Sequence, residues 1–154
     1  MTADYINPFL LAAASVFENM LGVQIQREKP FLRKAIEPQF EVTGVIGLTG
    51  KATGTVAFSL PASVAIAVTA RLLGETPPTV NGQVADAIGE VTNMIAGAAK
   101  AQLAALELSL GLPTVVIGRE CSIAFPSRAV PISIPFTCDL GPLVVEVGMV
   151  LDHH

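Results

Sequence analysis

The sequence predicts an α+β domain in which a mainly antiparallel β-sheet of about six strands packs against three main helices. Apolar residues recur at helical spacing in three segments and follow strand-like patterns in six others. The strand-like segments form two blocks separated by helices, and short turns join several of them. This order favours an antiparallel sheet over a doubly wound parallel one. No linker indicates a second domain, so residues 1–154 are expected to form a single domain.

Three segments have helical periodicity. The first helix is predicted to begin with Asn7 as its cap and Pro8 in its first position, and to end at Gly22. The second, which begins at a proline, is predicted to end at Gly74. The third contains DAIGEVTNMIAGAAK at residues 86–100. Its apolar side is formed by Val84, Ile88, Val91, Ile95, Ala98 and Ala99.

Six segments have the composition of strands. An edge strand, VQIQREK, is expected from Val23. A β-hairpin follows, made of EVTGVIGL from Glu41 and ATGTVAFSLP from Ala52, with TGK as the turn. Beyond Gly111 the apolar period returns to two in LPTVVIG, VPISIPFT and PLVVEVGMVL, where prolines mark strand beginnings.

The composition limits the possible partners. A formal net charge of -4 and a pI near 5.0, without a cluster of Lys or Arg, give no electrostatic basis for binding nucleic acid or an anionic membrane. The hydrophobic content of 51% and the mean hydropathy of +0.60 are high for a chain with 14% charged residues. We therefore expect a second subunit to cover some apolar surface, as in a homodimer, although a core rich in apolar residues could also account for these values.

Two further features concern the compartment. No segment approaches 18 consecutive apolar residues, and FLLAAASVF at 9–17 has the length of a core helix. The start of the chain lacks a basic leader and a convincing cleavage site, so a cytoplasmic location is expected. Cys121 and Cys138, the two cysteines, fit reduced buried thiols better than a disulfide framework.

Several common chemistries do not fit the residues present. GLTGKAT resembles a phosphate-binding loop, but Val45 stands at the position of the first glycine and Ala52 replaces the Ser or Thr. The two cysteines and the two C-terminal histidines lack the paired spacing of zinc ligands. Nucleophilic catalysis needs a base beside the nucleophile, and those histidines are the only ones. No metal site is predicted.

The third helix instead carries a polar stripe, which we define as Asp86, Glu90, Asn93 and Gly97. At about 100° per residue these positions share one narrow line on the solvent side. An ordinary solvated face is the simplest interpretation, but Gly89 and Gly97 each cost about 1 kcal/mol relative to alanine. We expect the missing side chains to let a partner approach the helix backbone closely. The small side chains of Ala96 and Ala101 would leave the surface around the stripe flat.

The chemistry of the stripe suits hydrolysis at a partner's reaction centre. A carboxylate can pair with a cation, and a carboxamide can hold and orient a water because it both donates and accepts hydrogen bonds. Neither group needs a metal or a nucleophile on this chain. Positioning a water in line with the scissile bond can contribute several kcal/mol.

These residues resemble a known family. Asp86, Glu90 and Asn93 in DAIGEVTNMIAGAAK, with INPFLLAAASVFENMLGV at 6–23, VTGVIGLTG at 42–50 and LPTVVIG at 112–118, closely resemble the CheX branch of the CheC/CheX/FliY phosphatases. The resemblance runs over essentially the whole chain and implies a CheC-like fold. It also implies removal of phosphate from the aspartate of a CheY-like response regulator in chemotaxis or related two-component signalling, by a homodimer whose sheets join.

The resemblance also implies roles for individual residues. Glu90 would pair with the regulator's active-site lysine, Asn93 would orient the hydrolytic water, and Asp86 would make a supporting contact. No cofactor would be bound by this chain, because Mg²⁺ would belong to the regulator. One site per chain is expected, since Glu18 and Asn19 in the first helix are adjacent and have lost the pair spacing. Pro113 follows Asn93 after fewer residues than in the family pattern and is interpreted as the start of a strand.

Two other functions remain open. The same helix could dock on a response regulator without accelerating hydrolysis, or the chain could be a structural dimerisation module. In the second case the partner subunit would cover the polar stripe. The exposure of Asn93 distinguishes these possibilities.

Overall fold

The computed structural model describes residues 3–33 and 37–152 and contains three main helices in this part of the chain. A single π-helical turn at Phe17–Leu21 extends the first helix, and a short 3-10 turn at Ala104–Leu106 follows the third. The helices are α1 (Ala3–Val16), α2 (Ala62–Leu73) and α3 (Gly82–Gln102).

An antiparallel sheet of eight strands forms the second layer. The strands are β1 (Gln26–Arg27), β2 (Phe31–Leu32), β3 (Val42–Thr49), β4 (Ala52–Leu60), β5 (Ser109–Leu110), β6 (Thr114–Ile117), β7 (Ile132–Cys138) and β8 (Gly141–Leu151). Their order in the sheet is β1-β7-β8-β4-β3-β5. At its two edges β2 also pairs with β7, and β6 also pairs with β3. The predicted α+β class, with helices packed against a mainly antiparallel sheet, is confirmed.

The predicted start of α1 is wrong. The helix begins at Ala3 and contains Pro8, whereas the sequence suggested a cap at Asn7. Ile6 and Phe9 are both buried, so packing against the core stabilises the first turn despite the backbone hydrogen bond that Pro8 removes. The predicted end is confirmed, because Gly22 adopts the left-handed conformation with φ of 67° and closes the π-helical turn.

The predicted hairpin is β3 and β4, paired from Val42↔Leu60 to Leu48↔Gly54. The three late strands also form where expected, as β6, β7 and β8. The predicted edge strand VQIQREK, at 23–29, is shorter than expected, because only Gln26–Arg27 forms β1. Strand β2 follows Pro30, which has no N–H to donate to a neighbouring strand. The two-residue strands β2 and β5 were not predicted.

One face of the sheet packs against all three helices and forms a single core cluster. Alternate residues of the central strands point into this core, including Val56 and Phe58 of β4. Phe58 meets Phe17 edge to face, with ring centroids 6.0 Å apart. Helix α3 packs against α1 and α2 and lies on strands β3 and β6, so the side of the sheet that ends in β5 and β6 supports it.

Loop segments cover part of the opposite face. Glu146 of β8 is buried there, and the Arg33 guanidinium lies 3.4 Å from its carboxylate. Burial raises the pKa of the Glu146 carboxyl, although the positive charge of Arg33 and a hydrogen bond from Gln39 act in the opposite direction. Thr55 donates a hydrogen bond to the Ala124 carbonyl at 2.9 Å on the same face. This polar layer lies on the side of the sheet away from α3.

Candidate active site

Helix α3 presents the polar stripe because its sequence fixes both its start and its apolar side. The Asn81 side chain caps the helix by accepting hydrogen bonds from the backbone N–H groups of Gln83 and Val84, at 3.0 and 3.2 Å. Lys100 in the last turn complements the negative end of the helix dipole. The buried residues between these ends are Val84, Ala87, Ile88, Gly89, Val91, Thr92, Ile95, Ala96 and Ala99.

The stripe lies on the opposite side of α3, at the surface of the chain. Asp86 and Glu90 are exposed, whereas Asn93 and Gly97 are half-buried. Glu90 and Asn93 are separated by about 4.5 Å of rise along the helix axis. The structure thus brings the two predicted catalytic side chains together on one accessible surface, with Asn93 more recessed than Glu90.

Neither functional group of this pair is engaged within the described part of the chain. The Glu90 carboxylate forms no ion pair there, and the Asn93 carboxamide forms no hydrogen bond with another described side chain or backbone group. A half-buried amide with free donors and acceptors can bind a water or a substrate oxygen without first breaking an internal contact. An exposed carboxylate one turn away can meet a cation on an approaching molecule.

The two glycines of the site have different surroundings. A Cβ atom added to Gly97 would lie 4.0 Å from Leu110 Cδ1, in space that opens to solvent. Gly89 is buried, and the same construction places a Cβ atom 3.5 Å from Val115 Cγ2 and 3.9 Å from Pro113 Cβ. The surface that approaches the helix at Gly89 therefore belongs to the same chain, which covers the helix backbone there. Ala96 is also buried, contrary to its predicted place beside the stripe.

Pro113 lies closer to the site than the sequence suggested. It directly precedes β6, as predicted, and it also packs beside Gly89 on α3. The contact places the beginning of β6 against the turn of helix that carries Glu90. Sequence spacing alone gave no sign of this contact, because the two residues are joined only through the fold.

A concavity continues the stripe toward the C-terminal end of α3. Its volume is about 540 Å³, and it begins at Gly97, one turn beyond Asn93. Small residues of the helix form one wall, and the chain after the helix forms the other. The lining residues are Gly97, Lys100, Ala101, Ala104, Glu107, Leu108 and Leu110. The accessible surface at Asn93 is thus flanked by a recess into which a partner could fit.

Other sequence predictions have simpler outcomes. Cys121 and Cys138 are both free thiols, but they are half-buried and not buried as predicted. Across residues 3–33 and 37–152, no three His, Cys, Asp or Glu side chains are grouped as metal ligands. His153 and His154 lie outside the described residues. In the same ranges no helix has the length and apolar character needed to cross a membrane.

Glu18 and Asn19 do not form a second pair of this kind. Glu18 and Asn19 lie in the π-helical turn after α1, and the Asn19 side chain donates a hydrogen bond to Ser15 Oγ at 3.0 Å. This amide is therefore already engaged, unlike that of Asn93.

Comparison with known proteins identifies the family. The model of the family described as chemotaxis phosphatase CheX matches residues 42–137, which is more than half of the chain and includes all of α3. The chain belongs to the CheX family. The curated CheY-P phosphatase CheX of Thermotoga maritima is 29% identical over 126 residues, covering 80% of this chain and 81% of that protein.

Solved structures of CheX proteins have the same fold. The chemotaxis protein CheX from Vibrio vulnificus superposes with a TM-score of 0.86 and 29% identity, over 96% of this chain and 100% of that one. The CheX of a CheX–CheY–BeF3–Mg²⁺ complex from Borrelia burgdorferi has a TM-score of 0.81 and 27% identity, over 96% of this chain and 99% of that one. These superpositions confirm the CheC-like fold that the sequence predicted.

Proposed function

We propose that this protein removes phosphate from the phosphorylated aspartate of a CheY-like response regulator. The observation that carries the proposal is the accessible Glu90 and Asn93 pair on α3, whose functional groups have no partner within the described chain. Membership of the CheX family supports the same chemistry, since the Thermotoga maritima relative is named a CheY-P phosphatase.

In the proposed mechanism α3 enters the reaction centre of the regulator. The Glu90 carboxylate pairs with a lysine ammonium there, and Asp86 makes a supporting contact one turn earlier. The Asn93 carboxamide accepts a hydrogen bond from the attacking water through its oxygen, or donates one to it through its NH2 group, and so holds it in line with the phosphorus–oxygen bond. No covalent intermediate forms on this chain, because the water attacks the phosphoryl group directly.

The metal in this reaction is expected to be the regulator's Mg²⁺, with no cofactor bound by this chain. The Borrelia burgdorferi relative was solved in complex with CheY, BeF3 and Mg²⁺, which is consistent with this division of roles. Within the described residues of this protein the stripe holds carboxylates only at Asp86 and Glu90, and they do not belong to a group of three potential ligands. The contribution of this chain is then to position the attacking water with groups that need not rearrange during the reaction.

We also propose that the protein acts as a homodimer. The exposed apolar residues near the sheet edges support this proposal: Phe31 and Leu32 of β2 are 47% and 66% exposed, and Ile117 of β6 is 55% exposed. In the described structure β6 pairs only with β3, so its other edge can extend a sheet. Light scattering coupled to gel filtration should give twice the mass of 16.0 kDa, and a monomer at micromolar concentration would contradict the proposal.

A non-catalytic docking module is the main alternative. It would need the exposed Glu90 but no water-orienting amide, so the open donors and acceptors of Asn93 favour the enzyme. A dimerisation module would cover the stripe with the second subunit. Asn93 is half-buried in the single chain, which is compatible with either arrangement, so its exposure does not distinguish them and activity decides.

The decay of phosphorylated regulators tests the proposal. Candidate receiver proteins are phosphorylated with a small-molecule donor, and loss of the aspartyl phosphate is followed with and without this protein. We expect faster decay of at least one regulator with the wild-type protein and decay at the intrinsic rate with Asn93→Ala. A regulator that binds tightly but whose phosphate decays no faster would favour the docking module.

A further inference from the structure

Strand β3 has a gap at Gly44 in the row of side chains that faces the helices. Val42 and Ile46, the neighbours in that row, are fully buried in the core. Because side chains alternate along a strand, all three positions face α3. Gly44 therefore leaves a notch between two large side chains, with the strand backbone as its floor.

Thr92 of α3 occupies this notch. A Cβ atom added to Gly44 would overlap Thr92 Oγ1 and would lie 3.0 Å from Thr92 Cβ and 3.3 Å from its Cγ2. The Thr92 hydroxyl is buried but donates a hydrogen bond to the Ile88 carbonyl at 2.7 Å within the helix, so it needs no polar partner on the strand. At this residue the helix rests directly on the strand backbone.

The notch lies beneath the turn of α3 that carries the candidate catalytic pair. Thr92 precedes Asn93 and follows Glu90 by two residues, and at about 100° per residue it points roughly 160° away from Glu90 and 100° away from Asn93. A helix is stiff over a single turn, so the depth of Thr92 in the notch sets how far both catalytic side chains project. The walls formed by Val42 and Ile46 limit sliding of the helix along the strand.

We propose that Gly44 is a positioning residue for the reaction, because its missing side chain seats Thr92 and thereby places Asn93. The inference rests on the proposed function, since it concerns the same pair of side chains. A methyl group on Gly44 would force α3 outward by roughly 1 Å, because non-bonded carbon atoms pack at about 3.5–4.0 Å. A displacement of about 1 Å can lower a catalytic rate about a hundredfold.

Gly44→Ala tests the inference, with Gly47→Ala as the matched control. Gly47 lies on the same strand, is exposed, and an added Cβ atom there meets nothing within 4 Å. In Gly44→Ala we expect kcat for removal of the aspartyl phosphate to fall about 10- to 100-fold. KM should change by less than about threefold, because the flexible Glu90 side chain can follow a small shift of the helix. Gly47→Ala should keep both constants.

The variant Thr92→Ala in the Gly44→Ala background provides the rescue. It removes the two side-chain atoms Oγ1 and Cγ2 that the new methyl group meets, so kcat should recover toward that of Thr92→Ala alone. If Gly44→Ala does not fold, a folded and active double variant supports the inference by itself. A double variant that is unfolded, or folded and no faster than Gly44→Ala, contradicts it.

The same assay tests the positioning role of Gly44 separately from the proposed function. If wild-type protein and Gly47→Ala are active and folded Gly44→Ala keeps the wild-type kcat, the inference about Gly44 fails and the proposed function stands. If wild-type protein accelerates the decay of no phosphorylated regulator, the proposed function fails and the positioning role fails with it.

Discussion

Replacing Gly89 and Gly97 with alanine, one at a time, tests whether a partner approaches the stripe at Gly97. Both residues lie inside α3, where glycine costs about 1 kcal/mol relative to alanine. Neither replacement creates a clash, because the nearest atom to an added Cβ is 4.0 Å away at Gly97 and 3.5 Å away at Gly89. Each variant should therefore raise the free energy of unfolding by up to about 1 kcal/mol, which is roughly 2–4 °C in Tm for a domain of this size.

Binding to the regulator should separate the same two variants. If the partner packs closely on the bare backbone at Gly97, the added methyl group overpacks that contact at a cost of about 1–3 kcal/mol, or roughly 5- to 150-fold in Kd. Gly89→Ala should bind like the wild type, because Gly89 is covered by Pro113 and Val115 of the same chain. Thermal unfolding and a titration with phosphorylated regulator measure the two effects. Equal affinity of both variants would refute the close approach at Gly97.

Two further substitutions test charges on opposite sides of the sheet. Glu90→Gln keeps the size of the side chain but removes its charge, so association with the regulator should weaken by about 2 kcal/mol or more, roughly 30-fold in Kd. The association should also lose part of its salt dependence, which titrations at two salt concentrations measure. An unchanged Kd would exclude the ion pair. Burial raises the pKa of Glu146 in the folded state, so the folded protein holds this proton more tightly than the unfolded chain does. The resulting stability is fully present below the unfolded carboxyl pKa of about 4.3 and is lost as pH rises through the folded pKa. Urea unfolding measured from below about pH 4.3 to above the folded pKa should show Glu146→Gln gaining stability relative to wild type as pH rises, and a relative loss of stability would contradict the burial effect.

The parts of the fold that the sequence predicted well depend on local backbone chemistry. Pro61 and Gly74 bound α2 as predicted, because a fixed φ and a left-handed glycine act within a single turn. The β3–β4 hairpin likewise follows from alternation and a short turn. The start of α1 was missed because a long-range contact, the burial of Ile6, outweighs the local signal from Pro8.

The sequence likewise predicted only the part of the candidate site that depends on local structure. Helical periodicity correctly places Asp86 and Glu90 on the exposed side of α3. It could not reveal that Gly89 faces Val115, because β6 reaches the helix only through the fold. The packing of Thr92 against Gly44 was missed for the same reason. A glycine inside a strand is a recognised sign of close backbone approach, but the sequence does not say which element approaches.

The central claim is that Asn93 accelerates hydrolysis by orienting water in a complex that Glu90 helps to form. The most direct measurement is the single-turnover decay of a regulator's aspartyl phosphate, with this protein in saturating excess so that binding does not limit the rate. For Asn93→Ala we expect the rate constant in the complex to fall at least about a hundredfold, toward the intrinsic decay of the regulator, with Kd within about threefold of wild type. Decay at the wild-type rate in the saturated Asn93→Ala complex would contradict the claim.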